Sequence, residues 1–599
     1  MNNPIPSRIT ALRTVMQQHG VAAVLVPSAD PHLSEYLPEH WQARAWLSGF
    51  TGSAGTLIVT AEHAGLWTDS RYFSQAEHEL AGTGVKLMKL RVPHTPEHLL
   101  WLQQELQDGD VLAVAGDSIS ITSQQRIEEY LAECGASVRT DLDLPGEVWP
   151  DRPALPVASV VEHDSAYARV TRSEKFARLR QSMDKLDASH HLVSSLDDIA
   201  WLTNLRGSDV ECNPVFLSHL LVQPKGRATL FVNRAKLSDA LVSALSTDGI
   251  EIVSYGSVSS TLGELGPTDR LLLDPARVVS SVAAAIPAAI SRVEAANPST
   301  AFKAVKTTDE LEHIREVMRR DGAALVRGFR RLEQRLAAGM TVTELDVDAI
   351  LSEERSAQPD HVGESFATIA GYQANGALPH YRALPESHST LQAKGLLLID
   401  SGGQYLGGTT DITRVLALGE TTAEQRRDAT LVMKGMIGLS RARFPKGASG
   451  QQLDALARAP LWAAGMDYGH GTGHGVGYFL NVHEGPQDIR PPSSGGKLVA
   501  LQPGMISSIE PGLYKPGRYG IRHENLVAVT EAEQSEFGEF LAFETLTMCP
   551  FDRRALEPSL LNPEERAWLD DYHATVRAAL SPLLEDADLE WLNRHCAPL

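Results

Sequence analysis

The chain has 599 residues, of which 43% are hydrophobic and 22% charged, enough apolar material for several buried cores and about four domain-sized units. Its 54 Lys+Arg against 75 Asp+Glu leave a formal net charge of −21, which argues against a nucleic-acid binder, because neutralising phosphates needs clustered cations. The four cysteines, Cys134, Cys212, Cys549 and Cys596, lie far apart with no C-x-x-C pair; a disulfide scaffold and a zinc ribbon are excluded, and a reducing compartment fits.

Residues 1–6 lack a basic stretch followed by an apolar core, and the longest apolar runs, such as 21–26 and 395–399, are strand-sized. The expectation is a soluble, cytoplasmic, multidomain protein with no signal peptide and no membrane span. Ala45-Trp46-Leu47-Ser48 recurs as Ala200-Trp201-Leu202-Thr203, and Gly52-Ser53 recurs at the same offset as Gly207-Ser208. Each copy leads into a strand-like apolar run, 56–60 in the first and 216–222 in the second. Pro150, Pro153 and Pro156 between the copies read as a linker. Two related α/β domains are therefore expected at 1–150 and 157–300.

A second repeat lies further on. Gly339-x-Thr341-x-x-x-Leu345-Asp346 is echoed by Gly447-x-Ser449-x-x-x-Leu453-Asp454, each with a long helix pattern before the glycine and a shorter one after it. Thr307-x-x-Glu310 and Thr421-x-x-Glu424 have capping-box spacing and would open the long helices. In the first helix, Leu311, Ile314, Met318, Leu325, Phe329, Leu332 and Leu336 keep the spacing of a face packed on a core, and Gly339 supplies a stop. Residues 301–539 thus read as two similar α/β halves. The last segment, 540–599, holds Pro550, Pro558 and Pro563 and reads as a small helical appendage.

Carboxylates and histidines gather in 396–524. The apolar run 396–399 ends in Asp400, followed by Ser401-Gly402-Gly403, and Asp411 sits in the β-branched run 409–415. Strands joined through glycines would bring these two aspartates onto one face. A third apolar run, 505–509, ends in Glu510, and Gly520-Ile521-Arg522-His523-Glu524 begins a fourth that continues to 529. One such carboxylate reads as a turn residue or an ion-pair partner. Four of them, each on or ending an apolar strand, point instead to a bound cation, since a buried carboxylate is costly unless paired or bound to metal.

Gly469-His470-Gly471-Thr472-Gly473-His474-Gly475-Val476-Gly477 fits no G-x-G-x-x-G register and has no Walker lysine. Its glycines allow close backbone approach to a ligand, with His470 and His474 projecting from it. His380 and His483 occupy further loop-like settings. Two divalent cations balance four carboxylates and can hold a bridging hydroxide between them; oxygen-rich ligation favours ions such as Mn²⁺. H-E-x-x-H and G-x-S-x-G are both absent, which favours metal-assisted hydrolysis over a nucleophilic serine or cysteine.

Asp400, Asp411, His474, Glu510 and Glu524, in this order and strand context, resemble the ligand set of the dinuclear metallopeptidases of the pita-bread fold. That family includes methionine aminopeptidases, prolidases and Xaa-Pro aminopeptidases. The resemblance covers nearly the whole chain and implies an α/β (α+β) architecture. Two creatinase-like N-terminal domains at 1–150 and 157–300 would precede a pita-bread catalytic domain with internal pseudo-twofold repeat at 301–539, and a C-terminal domain at 540–599 would follow. Asp69-Ser70-Arg71-Tyr72-Phe73 is similar to a tract of the long family members and is read here as a strand-to-helix turn.

Position by position, the resemblance implies that Asp400 chelates one metal, that Asp411 and Glu524 bridge both, and that His474 and Glu510 bind the other. It also implies that Glu510 carries the proton, that His380 and His483 stabilise the scissile carbonyl, and that His470 and Arg522 bind substrate or hold a ligand. His523, between Arg522 and Glu524, departs from the aliphatic residue common in the family and is expected on the opposite strand face. The implied activity is an Xaa-Pro aminopeptidase with two divalent ions, Mn²⁺ first and Zn²⁺ or Co²⁺ next. It would act as a homodimer on peptides with proline at position 2, with no nucleic-acid or membrane partner. A dipeptide-restricted prolidase and a metal-free binding module of the same fold are the alternatives.

Overall fold

The computed structural model describes residues 3–92, 95–492 and 498–599. The chain separates into two compact units, Met1–Thr300 and Ala301–Leu599.

The N-terminal unit contains the first repeat as two six-stranded sheets. The strands of the first are Ala23–Pro27, Thr56–Thr60, Ala64–Thr68, Lys86–Lys89, Val111–Ala113 and Ser137–Arg139. Those of the second are His190–Val193, Ser218–Val222, Ala228–Val232, Ile250–Val253, Arg270–Leu273 and Ser291–Glu294. With each set counted along the chain, both sheets have the spatial order 4-3-2-1-5-6. The pairings also agree: 1 with 2 and 2 with 3 antiparallel, 3 with 4, 1 with 5 and 5 with 6 parallel. The repeated Ala-Trp-Leu lies on the short helices Ala43–Ser48 and Leu196–Thr203. Each helix ends on a left-handed residue, Gly49 at φ 78° and Asn204 at φ 52°, the two residue types that adopt this geometry most readily. Asp69 and Arg71 form the turn between a strand and helix Phe73–Glu79, with Arg71 Nε and Nη2 donating to the Asp69 carboxylate at 2.9 and 2.8 Å.

Polar groups are also buried in this unit. Lys236 and Asp209 form an ion pair with side chains 1% and 0% exposed. His32 Nδ1–H donates to the Ser194 carbonyl at 2.8 Å, so its Nε2 accepts from Tyr255 Oη, also at 2.8 Å.

The second unit opens with the 30-residue helix Thr308–Ala337, capped by the reciprocal Thr307–Glu310 box and stopped at Gly339, φ 71°. Its counterpart, Ala423–Ser440, begins one residue later than expected: Thr422 and Gln425 form the box, while Glu424 turns outward and accepts from Lys515 Nζ at 2.8 Å. The shorter helices Glu344–Ser356 and Gly450–Trp462 are capped by Thr343 and Ser449, so the repeat shifts by two residues at this point. Only the second half inserts a strand, Arg443–Pro445, between its helices.

The sheets of this unit position the site. A three-stranded antiparallel sheet pairs Leu396–Ser401 with Ile369–Tyr372 on one side and Ile412–Ala417 on the other. A six-stranded sheet runs Arg443–Pro445, Gly538–Thr545, Asn525–Ser535, Ile506–Ile509, Gly473–Gly475, Glu484–Ile489. The segment from 540, expected as a small helical appendage, begins inside strand Gly538–Thr545 and then forms helices Pro563–Leu580 and Asp586–His595; it is integral to the unit, since Leu569, Tyr572, Val576 and Trp591 share one apolar core with Phe329, Leu397, Met433 and Ile509. Arg414, fully buried and lying 3.8 Å from the Phe551 ring centroid, fastens this segment down, donating to the carbonyls of Cys549 (2.7 Å) and Pro550 (3.2 Å) and to Tyr572 Oη (2.9 Å). No helix among the described residues is long and apolar enough to cross a membrane.

Candidate metal centre

Asp400 is the fifth residue of Leu396–Ser401 and pairs with Thr413; Asp411 directly precedes Ile412–Ala417. Asp411 is two residues from Thr413 and therefore shares its strand face, diagonal to Asp400. His474 is the middle residue of Gly473–Gly475, so the glycine-rich tract is in part a strand inside the six-stranded sheet rather than a loop throughout. The glycines flanking it are required by close approach: a Cβ on Gly473 would lie 1.9 Å from the Ser508 carbonyl oxygen, and one on Gly475 2.1 Å from that of Glu484. Glu510 follows Ile506–Ile509 at once.

The run expected as one strand from Gly520 onward is two. Tyr519–Arg522 belongs to a hairpin with Gly512–Lys515, and Asn525–Ser535 belongs to the large sheet. Glu524 sits at the crossing, where Thr413 Oγ1 donates to its Oε2 at 2.8 Å. His523 is buried and meets Phe551 edge-on at 5.6 Å; burial, reinforced by Arg414, pushes it down to about 3, so its ring is neutral.

Asp411, His474 and Glu524 bring one ligand atom each within 4.8 Å of one another. His474 Nε2 lies 3.3 Å from Glu510 Oε1 and 3.5 Å from Asp411 Oδ2. Its Nδ1 lies 3.0 Å from the Gly475 carbonyl, which can only accept; Nδ1 thus carries a proton, and Nε2 is the ring atom turned towards the carboxylates. Asp400 bonds Arg522 through Oδ2, while its Oδ1 and Glu524 Oε1 are buried without a hydrogen-bond partner.

The electrostatics are those of a site short of positive charge. Burial first, then the like charges of Asp400 and Glu510, raise Asp411 well above the carboxylate range. Burial, then Asp411, Glu510 and Asp400, does the same to Glu524. Glu510 is pushed up to about 7 by burial, with Arg522 opposing and Asp400 adding to the rise. Orphaned carboxylate oxygens, an imidazole oriented with Nε2 towards them and four crowded acids fit divalent cations.

The remaining expected residues, or their immediate neighbours in the chain, connect to this cluster. His483 packs its ring at right angles to His474, 4.3 Å between centroids. His470 Nδ1–H donates to the Gly471 carbonyl at 2.7 Å, so its Nε2 accepts from Tyr514 Oη at 2.9 Å. Arg522 ends the hairpin strand Tyr519–Arg522 and reaches the three-stranded sheet, donating to Asp400, to Tyr514 Oη at 2.7 Å and to Thr413 Oγ1 at 3.1 Å. His380 lies in the turn after residues 373–377, and the preceding carbonyl, of Pro379, accepts from Arg522 Nη1 at 3.4 Å. Sequence reasoning missed Tyr514, Thr413 and Ser508, whose hydroxyl accepts from His474 N at 3.0 Å and donates to Glu510 Oε1 at 3.2 Å. Tyr514 carried a signal: it alternates with Gly512 on the strand hydrogen-bonded to that of Arg522.

Comparison with known proteins agrees with this geometry. Residues 312–531 match the model of metallopeptidase family M24, and 539–599 that of the C-terminal region of the same peptidases. Residues 8–143 and 151–310 each match a creatinase/prolidase N-terminal domain. The chain is 40% identical over 608 residues to a probable Xaa-Pro aminopeptidase P of Laccaria bicolor, covering 99% of this chain and 93% of that protein. It is 37% identical over 633 residues to aminopeptidase P2 of Arabidopsis thaliana, covering 99% and 89%. The crystal structure of the X-prolyl aminopeptidase of Caenorhabditis elegans, a cytosolic enzyme with a di-nuclear active site, superposes with TM-score 0.94 at 34% identity over 99% of both chains. Two creatinase-like domains followed by a pita-bread M24 domain that carries a metal-binding cluster, matched over almost the full length, identify the chain as a member of the Xaa-Pro aminopeptidase P family of metallo-exopeptidases.

Proposed function

We propose that this chain releases the N-terminal residue from peptides whose second residue is proline. The observation that carries this reading is the gathering of Asp411, Glu510 and Glu524 about the His474 imidazole, with the charge of Asp400 acting on all three acids, in a buried, negatively overcharged space. Asp400 would hold one ion, Asp411 and Glu524 would bridge two, and His474 with Glu510 would hold the second. Mn²⁺ is the expected ion, with Zn²⁺ or Co²⁺ as alternatives. When bound, such ions polarise the scissile carbonyl and acidify water towards neutrality.

The protein's own groups supply the rest. Glu510 accepts a proton from the attacking water at its carboxylate and returns it to the leaving proline nitrogen. His380 and His483 donate to the carbonyl oxygen as negative charge develops there. His470, tied to Tyr514 and Gly471, lines the space for the proline ring, and Arg522 keeps Asp400 oriented. A bond to proline nitrogen is a tertiary amide without N–H, so recognition falls to a pocket for the ring rather than to a hydrogen bond. We keep the division into 1–150, 157–300, 301–539 and 540–599, a homodimer and a cytoplasmic setting as parts of this proposal; the cytosolic C. elegans relative supports the last.

The test is mass spectrometry of an Arg-Pro-Pro-type peptide with enzyme stripped of metal and resupplied with Mn²⁺. Loss of the first residue alone, dependent on metal and absent when alanine replaces the second-position proline, is the expected result. Cleavage of Xaa-Pro dipeptides only would move the reading to a prolidase. A folded protein inert with every divalent ion would move it to a binding module.

A further inference from the structure

Glu344 is a fully buried carboxylate with no basic partner among the described residues. It opens helix Glu344–Ser356, directly after the capping residue Thr343. Its Oε1 accepts from Tyr372 N at 2.7 Å and Asn375 Nδ2 at 3.0 Å. Its Oε2 accepts from Tyr381 Oη at 2.8 Å, Ser389 N at 2.6 Å and Asn375 Nδ2 at 3.0 Å. A buried charge without a counter-ion is expensive; here four donors and the positive end of a helix offset that cost.

All four donors come from residues 372–389, the segment that carries His380. A carboxylate accepts on both oxygens, whereas an amide in its place would turn an NH₂ towards one pair of donors. The turn around His380 is also held from the other side. Pro379, just before it, accepts from Arg522 through its carbonyl; Tyr381, just after it, reaches Glu344 through its hydroxyl while its ring packs with Ile369 and Leu398. His380 is thus bracketed between a tie to the metal-centre arginine and a tie to Glu344.

We propose that Glu344 is a positioning residue for this peptidase: by gathering the donors of 372–389 it sets where His380 stands relative to the scissile carbonyl. This rests on the role given to His380 under the proposed function. A carboxylate rather than a hydrophobic plug stands at the root of the segment because one acceptor-only group can fix four points of an irregular chain at once.

A double-mutant cycle on the metal-loaded enzyme tests this, with bound metal, KM and kcat measured for each variant. His380→Ala is expected to lower kcat by about a hundredfold or more, the loss typical of one donor to a developing oxyanion. Glu344→Gln is expected to lower kcat about tenfold or more with KM within about twofold, and to change it less than about twofold in the His380→Ala background, since residues acting through one another are not additive. Metal content should stay unchanged throughout. Equal fold losses in both backgrounds, or a fall in bound metal, would overturn the inference while leaving the role of His380 standing. Full activity of His380→Ala would overturn that role and the inference with it. Tyr381→Phe keeps the ring and removes a single donor, so it runs the same cycle if Glu344→Gln fails to fold.

Discussion

The buried Asp209–Lys236 pair of the N-terminal unit and the charges of the metal centre obey different rules. In the former, Asp209 meets Lys236 and also accepts from Leu217 N at 2.7 Å, so one negative charge is met by one positive. In the latter, four carboxylates crowd together with Arg522 bonded to one of them, and both Asp411 and Glu524 are driven upward by burial and then by the like charges of their neighbours. Balanced buried charge is what a structural ion pair looks like; a surplus of one sign marks a place where an ion or a substrate must supply the difference. The polar cluster at His32 belongs with the balanced kind, its two ring nitrogens satisfied by Ser194 and Tyr255.

The sharpest way to break the comparison is at the surplus. Asp411→Asn removes one of the charges that attract the ions, and kcat/KM should fall by more than about a hundredfold, beyond the cost of losing an outer-shell partner. Circular dichroism should show the fold retained; retained activity would sink the ligand assignment. On the balanced side, Lys236→Met leaves Asp209 buried and unpaired and should destabilise the N-terminal unit by about 3–5 kcal/mol in denaturant unfolding. The double variant Lys236→Met/Asp209→Asn should recover much of that loss. If the single and double variants are equally unstable, charge balance is not the operative term there.

Removing metal should expose the surplus as a pH dependence. Glu510 stands at about 7 in the metal-free fold against an ordinary 4.5, so between these values the native state binds more protons than the unfolded chain. Metal-free protein is therefore most stable below this window and loses stability as pH rises through 7, and Asp411 and Glu524 act in the same direction. Thermal melts of stripped and Mn²⁺-loaded protein from pH 5 to 8 check this. A flat profile without metal, or an equal slope with it, would contradict the charge account. The smallest expected effect belongs to neither class of site: Thr307→Ala deletes a capping box on the long helix and should cost about 1 kcal/mol, with activity unchanged.

The legible parts of the sequence were those carried by local chemistry. Thr307-x-x-Glu310 announced a helix start because a cap needs only four consecutive residues. Its counterpart was misread by one residue, since Thr421 and Thr422 are both competent caps and the choice between them follows from Lys515 and Arg518, nearly a hundred residues away, drawing Glu424 outward. Asp400, Glu510 and Glu524 stood out as carboxylates attached to apolar runs. Tyr514, Thr413 and Glu344 did not, because each matters through partners that only the fold brings to it.

The sequence by itself determined the two repeats, the strand-end carboxylates, the glycines around His474 and, by resemblance, the family, because periodicity, composition and motif order are properties of neighbouring residues. Tertiary structure alone decided that the run from Gly520 to 529 divides between two sheets with Glu524 at the junction, that the C-terminal helices share the apolar core of the second unit, and that Glu344, held by hydrogen-bond donors alone, anchors the His380 segment. Those outcomes depend on charge and packing between residues distant in the chain, and no local pattern encodes which distant groups will meet.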